Sequence, residues 1–136
     1  MAVFAATDYF ITIGGVDLAD RITSVDLPIE VADLTTTNFD SLGWNERIGG
    51  LKDAKVSINF NQDFAASEVE ATVWPLLGTL VTVVLRPTSA AVSTTNPTYT
   101  VSALVNDWKP ISAKVGDLAA LSITWPVSGA VVRTTA

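Results

Sequence analysis

Residues 32–60, ADLTTTNFDSLGWNERIGGLKDAKVSINF, change character halfway along. In the second half Val56, Ile58 and Phe60 alternate with Lys55, Ser57 and Asn59. A period of two places alternate side chains on opposite faces, so this half reads as a strand buried on one side. From Ala32 to Lys52 no period holds. Thr, Asn, Asp and Gly dominate, with Phe39, Trp44, Ile48 and Leu51 set among them. This half reads as a long loop, and unstructured connections beyond about 12–15 residues in a compact domain are usually functional or disordered. Four large apolar side chains are poor company for disorder, which favours low hydrophobicity. The loop therefore packs on something. Either it folds back over its own core, or it docks on a neighbouring subunit through Phe39, Trp44, Ile48 and Leu51.

Outward from this stretch the same period recurs. On the N-terminal side Val25, Leu27, Ile29 and Val31 alternate with Ser24, Asp26, Pro28 and Glu30. That predicts a half-buried strand, and Pro28, which lacks a ladder donor, makes it an edge strand or marks a bulge. Before it, Ile11 and Ile13 share one face of a strand that meets a tight turn at Gly14-Gly15, with a second strand starting near Val16. On the C-terminal side Asp63 or Ser67 is placed to cap a helix. Ser67 and Glu70 have capping-box spacing, Val69, Val73, Leu76 and Leu77 share a face, and Pro75 and Gly78 end it. Thr79 to Leu85, TLVTVVL, is nearly all apolar and β-branched, which predicts a central strand buried on both faces, either in the core or between protomers. Arg86 to Pro97 reads as a flexible hairpin connection. Alternation returns over Thr98–Asn106 and Leu118–Trp125, and Ala130–Val132 adds a short terminal strand. Seven or so strands and one helix, with no composition break, predict one domain over residues 1–136. Its class is mainly β, an antiparallel β-sandwich or barrel carrying one α-helix.

Composition narrows what such a domain does. The chain has 136 residues and contains neither Cys nor His. Disulfides, thiolate metal sites, His-ligated zinc and Ser-His or Cys-His nucleophilic catalysis are thereby excluded. Net charge is −6 and the basic residues are scattered, so no cluster exists to neutralise nucleic-acid phosphates or an anionic membrane. The longest apolar stretch, Trp74–Leu85, is interrupted by Pro75, Gly78, Thr79 and Thr82 and is too short to span a bilayer. The first ten residues lack the basic region of a secretory signal. Charged residues make up 16% of the chain against about 25% in typical soluble domains. Excess apolar surface of this kind must be covered, and other copies of the chain are the simplest cover.

The remaining polar groups carry no chemistry that outweighs a bland reading. Asp17 and Asp20 have a spacing that could hold a hard cation, but such pairs are common on solvated turns. Asp107 and Asp117 share no motif, and Ser112 near Lys114 has no oxyanion-hole signature beside it. Gly14-Gly15 and Gly49-Gly50 lack phosphate-cradling frames. Trp44, Trp74, Trp108 and Trp125 are dispersed, as core or interface anchors are. No metal, no cofactor and no catalytic residue is expected.

The order of elements resembles the major tail proteins, or tail tube proteins, of long non-contractile-tailed bacteriophages. Four features carry the resemblance: the alternating strand around Leu27–Val31; the excursion with Glu46, Gly50-Leu51 and Asp53 ahead of Val56-Ser57-Ile58; the following helix with Trp74, Leu76 and Leu77; and the apolar strand Thr79–Leu85. The resemblance covers most of residues 8–127. It implies a structural virion protein whose inner sheet joins those of its neighbours into a ring, generally a hexamer. Rings of this kind stack into a hollow tail tube, the conduit for DNA ejection. The implied partners are other copies of the chain, a tape measure protein, and tail terminator and tail tip proteins, with viral DNA passing through unbound and no membrane involved. Residues 32–52 would be the assembly loop, and residues 1–7 and 128–136 flexible termini that help join rings. Competing readings are another virion β-sandwich protein, such as a tail terminator or capsid decoration protein, and a small carbohydrate-binding module using Trp44 or Trp108 as a sugar platform.

Overall fold

The computed structural model describes residues 3–136; Met1 and Ala2 of the N-terminal segment lie outside the described residues. Among the described residues nine antiparallel strands form two sheets around one core, with a single short α-helix. The first sheet has the order β2-β1-β6-β7-β9: β1 (Phe10–Ile13), β2 (Val16–Asp17), β6 (Leu80–Arg86), β7 (Thr98–Leu104) and β9 (Val132–Thr134). The second is built on β5 (Arg47–Asn61), flanked on one edge by β3 (Ile22–Asp26) and β4 (Ile29–Thr35) in succession and on the other by β8 (Ala120–Pro126).

The core is made where period-two faces meet. Ile11 and Ile13 of β1, Val81, Val83 and Leu85 of β6, and Val101 and Ala103 of β7 face Val56, Ile58 and Phe60 of β5 and Leu121, Ile123 and Trp125 of β8. The helix α1 (Val69–Val73) adds Val69 and Val73. At one side the sheets join, since Ser128 N–H donates to Ser102 O at 2.7 Å and Ala103 bridges to Val127. Gly14 and Gly15, at φ +60° and +83°, make the β1–β2 turn, where two left-handed residues match the twist of the flanking strands.

Two expectations are corrected and two are refined. The strand expected across Pro28 is two strands: β3 ends at Asp26 and β4 begins at Ile29, with Leu27 and Pro28 between them. The Pro28 carbonyl still accepts from Lys55 N–H at 3.3 Å, so the missing donor breaks the ladder without releasing the chain. Strand β6 is central, and within one chain its core-facing side is buried while Leu80 and Thr82 of the other face are exposed. The Ser67–Glu70 capping box does not form, because Ser67 sits at φ +64° and the helix starts only after Glu68. Asp63 instead turns the chain, its carboxylate accepting from Ala65 N–H at 2.9 Å and its carbonyl from Glu70 N–H at 3.1 Å. Finally, the expected short terminal strand is present as β9, at residues 132–134 instead of 130–132, and its pairing with β7 ties down part of the 128–136 tail expected to be flexible.

The connection from Arg86 to Pro97 is organised by one buried side chain. Asn96 donates to Ala90 O and Ala91 O at 3.1 and 3.2 Å and accepts from Thr88 N–H at 3.1 Å. Asn96→Ala leaves three backbone partners without their mate, and loss of about 1–3 kcal/mol is expected in urea unfolding.

The Asp63 carboxyl is held below its ordinary pKa, first by the Ala65 amide and then by the Arg21 guanidinium, which donates to it at 2.8 Å. A carboxyl with a lower pKa folded than unfolded stabilises the fold fully above its unfolded value, about 3.9, and loses that contribution as the pH falls. The wild-type melting temperature should therefore drop more steeply below about pH 4 than that of Asp63→Asn, which cannot titrate.

Candidate assembly surface

The stretch expected to be a loop is a β-ladder. Strand β4 pairs with the first half of β5 in a register running from Ile29 opposite Ala54 to Thr35 opposite Arg47, and Thr36 N–H extends it to Glu46 O at 2.8 Å. The sequence hides this because the ladder is irregular. Between Val31 opposite Lys52 and Asp33 opposite Gly49, Ala32 faces two residues, Gly50 and Leu51, so a bulge shifts the alternation by one. The glycines leave close quarters there: a Cβ on Gly50 would lie 3.1 Å from the Leu34 side chain, and one on Gly49 would lie 3.2 Å from Val31 Cγ1, so a larger residue would push its neighbour aside by a few tenths of an ångström.

This two-stranded arm stands off the body. Strand β8 reaches β5 only as far as Lys55, opposite Pro126, so among the described residues Arg47–Asp53 is paired on one edge alone and β4 pairs only with β5. Both outer edges thus present free backbone donors and acceptors, the usual template for another chain. An isolated two-stranded ribbon is also marginal in water, which makes a partner physically advantageous.

The faces of the arm differ in chemistry. Register partners share a face, so Leu34 and Ile48 form an apolar pair on one side. Asp33 lies on the other, where it bonds Arg47 at 3.2 Å. At the tip, Asn38 and Ser41 cap each other's backbone: the Asn38 carboxamide accepts from Asp40 N–H at 2.9 Å and the Ser41 hydroxyl accepts from Asn38 N–H at 3.1 Å. A short 3-10 turn, Phe39–Ser41, follows, and then Leu42 at φ +52°.

All four predicted contact residues lie on this arm and face away from the core. Phe39 is 104% exposed, Trp44 78%, Ile48 57% and Leu51 88%. The alternative in which the segment folds over its own core is therefore not what the chain adopts. Sequence reasoning missed Leu42, Leu34, Ile29 and Val31, which are exposed on the same arm. A smaller exposed apolar group, Phe64, Trp74, Leu77 and Leu80, lies around the helix and the start of β6.

Other candidates are accounted for locally. Trp108 packs edge-on against Phe60 at 5.6 Å and donates to Glu70 Oε1 at 2.9 Å, so it is no open sugar platform. Trp125 is in the core and donates to Asp107 O at 2.8 Å. Asp17 accepts from Ala19 N–H, and Asp20 pairs with Arg21 at 3.1 Å. Ser112, Lys114 and Asp117 lie on an exposed connection. Among the described residues no group of three or more acidic side chains could hold a metal ion, and no helix is long and apolar enough to cross a membrane.

No protein-family model and no curated protein matches the chain in sequence. Among solved structures the chain is similar to a subunit of the tail of an empty GTA (gene transfer agent) particle with C6 symmetry. The likeness has a TM-score of 0.62 at 14% identity and covers 84% of this chain and 82% of that one. With its two antiparallel sheets and short helix, the chain thus has a phage-tail-like fold.

Proposed function

We propose that this chain is the repeating subunit of a phage tail tube, a structural virion protein that assembles into stacked rings of six through which DNA passes. One observation carries the reading: a domain with a tail-like fold projects a two-stranded arm whose Phe39, Leu42, Trp44, Ile48 and Leu51 have nothing of their own body to cover them. Each such side chain contributes about 1.5–3 kcal/mol when removed from water. Several per protomer offset much of the roughly 4–15 kcal/mol lost when two molecules become one. The C6 symmetry of the similar tail supports rings, in which each protomer offers a donor surface to one neighbour and an acceptor to the other.

The charge balance suits a conduit. A net charge of −6 without a basic cluster gives DNA phosphates nothing to exchange counterions with, so the strand slides instead of binding. Tape measure, terminator and tip proteins are the partners this role entails. Negative-stain microscopy of purified protein tests the proposal: stacked rings or tubes are expected. A single ring that never stacks would assign the chain to a terminator role, and dispersed monomers at high concentration would overturn the proposal.

A further inference from the structure

The two sheets turn unlike faces outward. Register partners share a face, so the outward residues where β5 pairs with β8 are Ser57 opposite Thr124, Asn59 opposite Ser122 and Asn61 opposite Ala120, all small and uncharged. The Ser57 and Thr124 hydroxyls bond each other at 3.1 Å. Where β5 runs on toward the arm, the same face carries Asp26 opposite Ser57 and Glu30 opposite Asp53. Two carboxylates set directly opposite each other destabilise a ladder, so pairing within the protomer does not account for Glu30 and Asp53. The bases here are matched or engaged: Lys55 lies between Asp53 and Ser57 on the strand's outward side, and Lys109 donates to the Ser122 carbonyl at 3.1 Å. On the other sheet the outward face carries Leu80 opposite Leu104, the exposed Val132, and Arg86 stacked over Phe10 at 4.2 Å.

We infer that the outward face of the β5–β8 sheet, from Glu30 and Asp53 to Asn59 and Ser122, is the wall turned toward the passing DNA, and that the outward face of β6 and β7 is turned away from it. The inference rests on the tail tube reading above and names which of the two sheets the duplex meets. Proteins hold duplex DNA chiefly by placing cations against its phosphates and releasing the condensed counterions. A wall that the duplex must slide along therefore needs neutral or negative groups over its whole width. Amides and hydroxyls release no counterions, and Asp26, Glu30 and Asp53 set a field that pushes phosphate off the surface. The like-charged pair that costs the ladder stability thus serves the wall. The β6–β7 face lacks both properties. Arg86 offers phosphate a cation, and Leu80, Leu104 and Val132 would stand uncovered in a water-filled bore.

Ser122→Cys places a single thiol on this face, in a chain with no cysteine of its own. In dispersed protomers the thiol should react both with N-ethylmaleimide and with a maleimide carried on a long polyethylene glycol. In assembled tubes it should keep its reaction with the small reagent, which diffuses along the bore, and lose its reaction with the bulky one. Asn59→Cys repeats the measurement on β5 and covers the case in which Ser122→Cys fails to fold or assemble. Tubes in which either thiol still takes up the bulky reagent, or in which both take up neither reagent, would overturn the assignment of this face while leaving the proposed function standing. Wild-type protein that forms no tubes would overturn both.

Discussion

Trp44→Asp should leave a folded protomer that no longer assembles. Trp44 is mostly exposed on an arm that touches the body only at its root, so its replacement removes no core contact. The melting temperature of the dilute protomer should stay within about 2 °C of wild type, since surface substitutions away from special features usually cost within ±0.5 kcal/mol. The effect appears on association. An aspartate placed where another copy's apolar surface must close over it is a desolvated, unpaired charge, and losing a central aromatic anchor costs about 2–4 kcal/mol. That is roughly a 30- to 1,000-fold loss at each contact, repeated at every protomer of a ring. Circular dichroism with sedimentation separates the outcomes. A variant that fails to fold would mean that the arm is part of the protomer's own core, contrary to the structure.

Trp125→Ala should do the reverse, disabling the protomer itself. Trp125 is fully buried beside Ile123 and Leu121, and its indole N–H donates to Asp107 O at 2.8 Å, tying the segment after β7 to β8. Removing it leaves a large cavity and an unmade hydrogen bond, at a cost of about 3–5 kcal/mol. Against a total stability of about 5–15 kcal/mol, this lowers the melting temperature by about 10–20 °C and leaves little folded protein at physiological temperature. Thermal unfolding followed by near-ultraviolet circular dichroism reads the shift. A change under about 1 kcal/mol would show that the site collapses around the cavity and that Trp125 is no keystone.

The pair of variants also marks what the sequence could and could not disclose. Strands whose faces are buried by their own chain announced themselves: Leu121, Ile123 and Trp125, or Val56, Ile58 and Phe60, keep strict alternation because every second side chain meets the core. The arm did not. Its ladder contains a bulge at Gly50-Leu51, and neither of its faces is buried within the chain, so nothing in the protomer enforces alternation. Pro28 likewise reads as a blemish in one strand, although it separates a strand of the body from a strand of the arm. The contact residues were legible for a different reason. Phe39, Trp44, Ile48 and Leu51 stand out against their polar neighbours whatever backbone carries them. Leu42 was invisible because a leucine at positive φ is a conformation its residue type disfavours, so only the structure places it at the tip.

Sedimentation velocity of the wild-type chain beside Trp44→Asp, over a wide range of concentration, weighs the whole interpretation at once. Burial of the arm between copies predicts that the wild type shifts to particles many times the mass of one chain while the variant stays single. A wild-type protein that sediments as one compact chain throughout would contradict it.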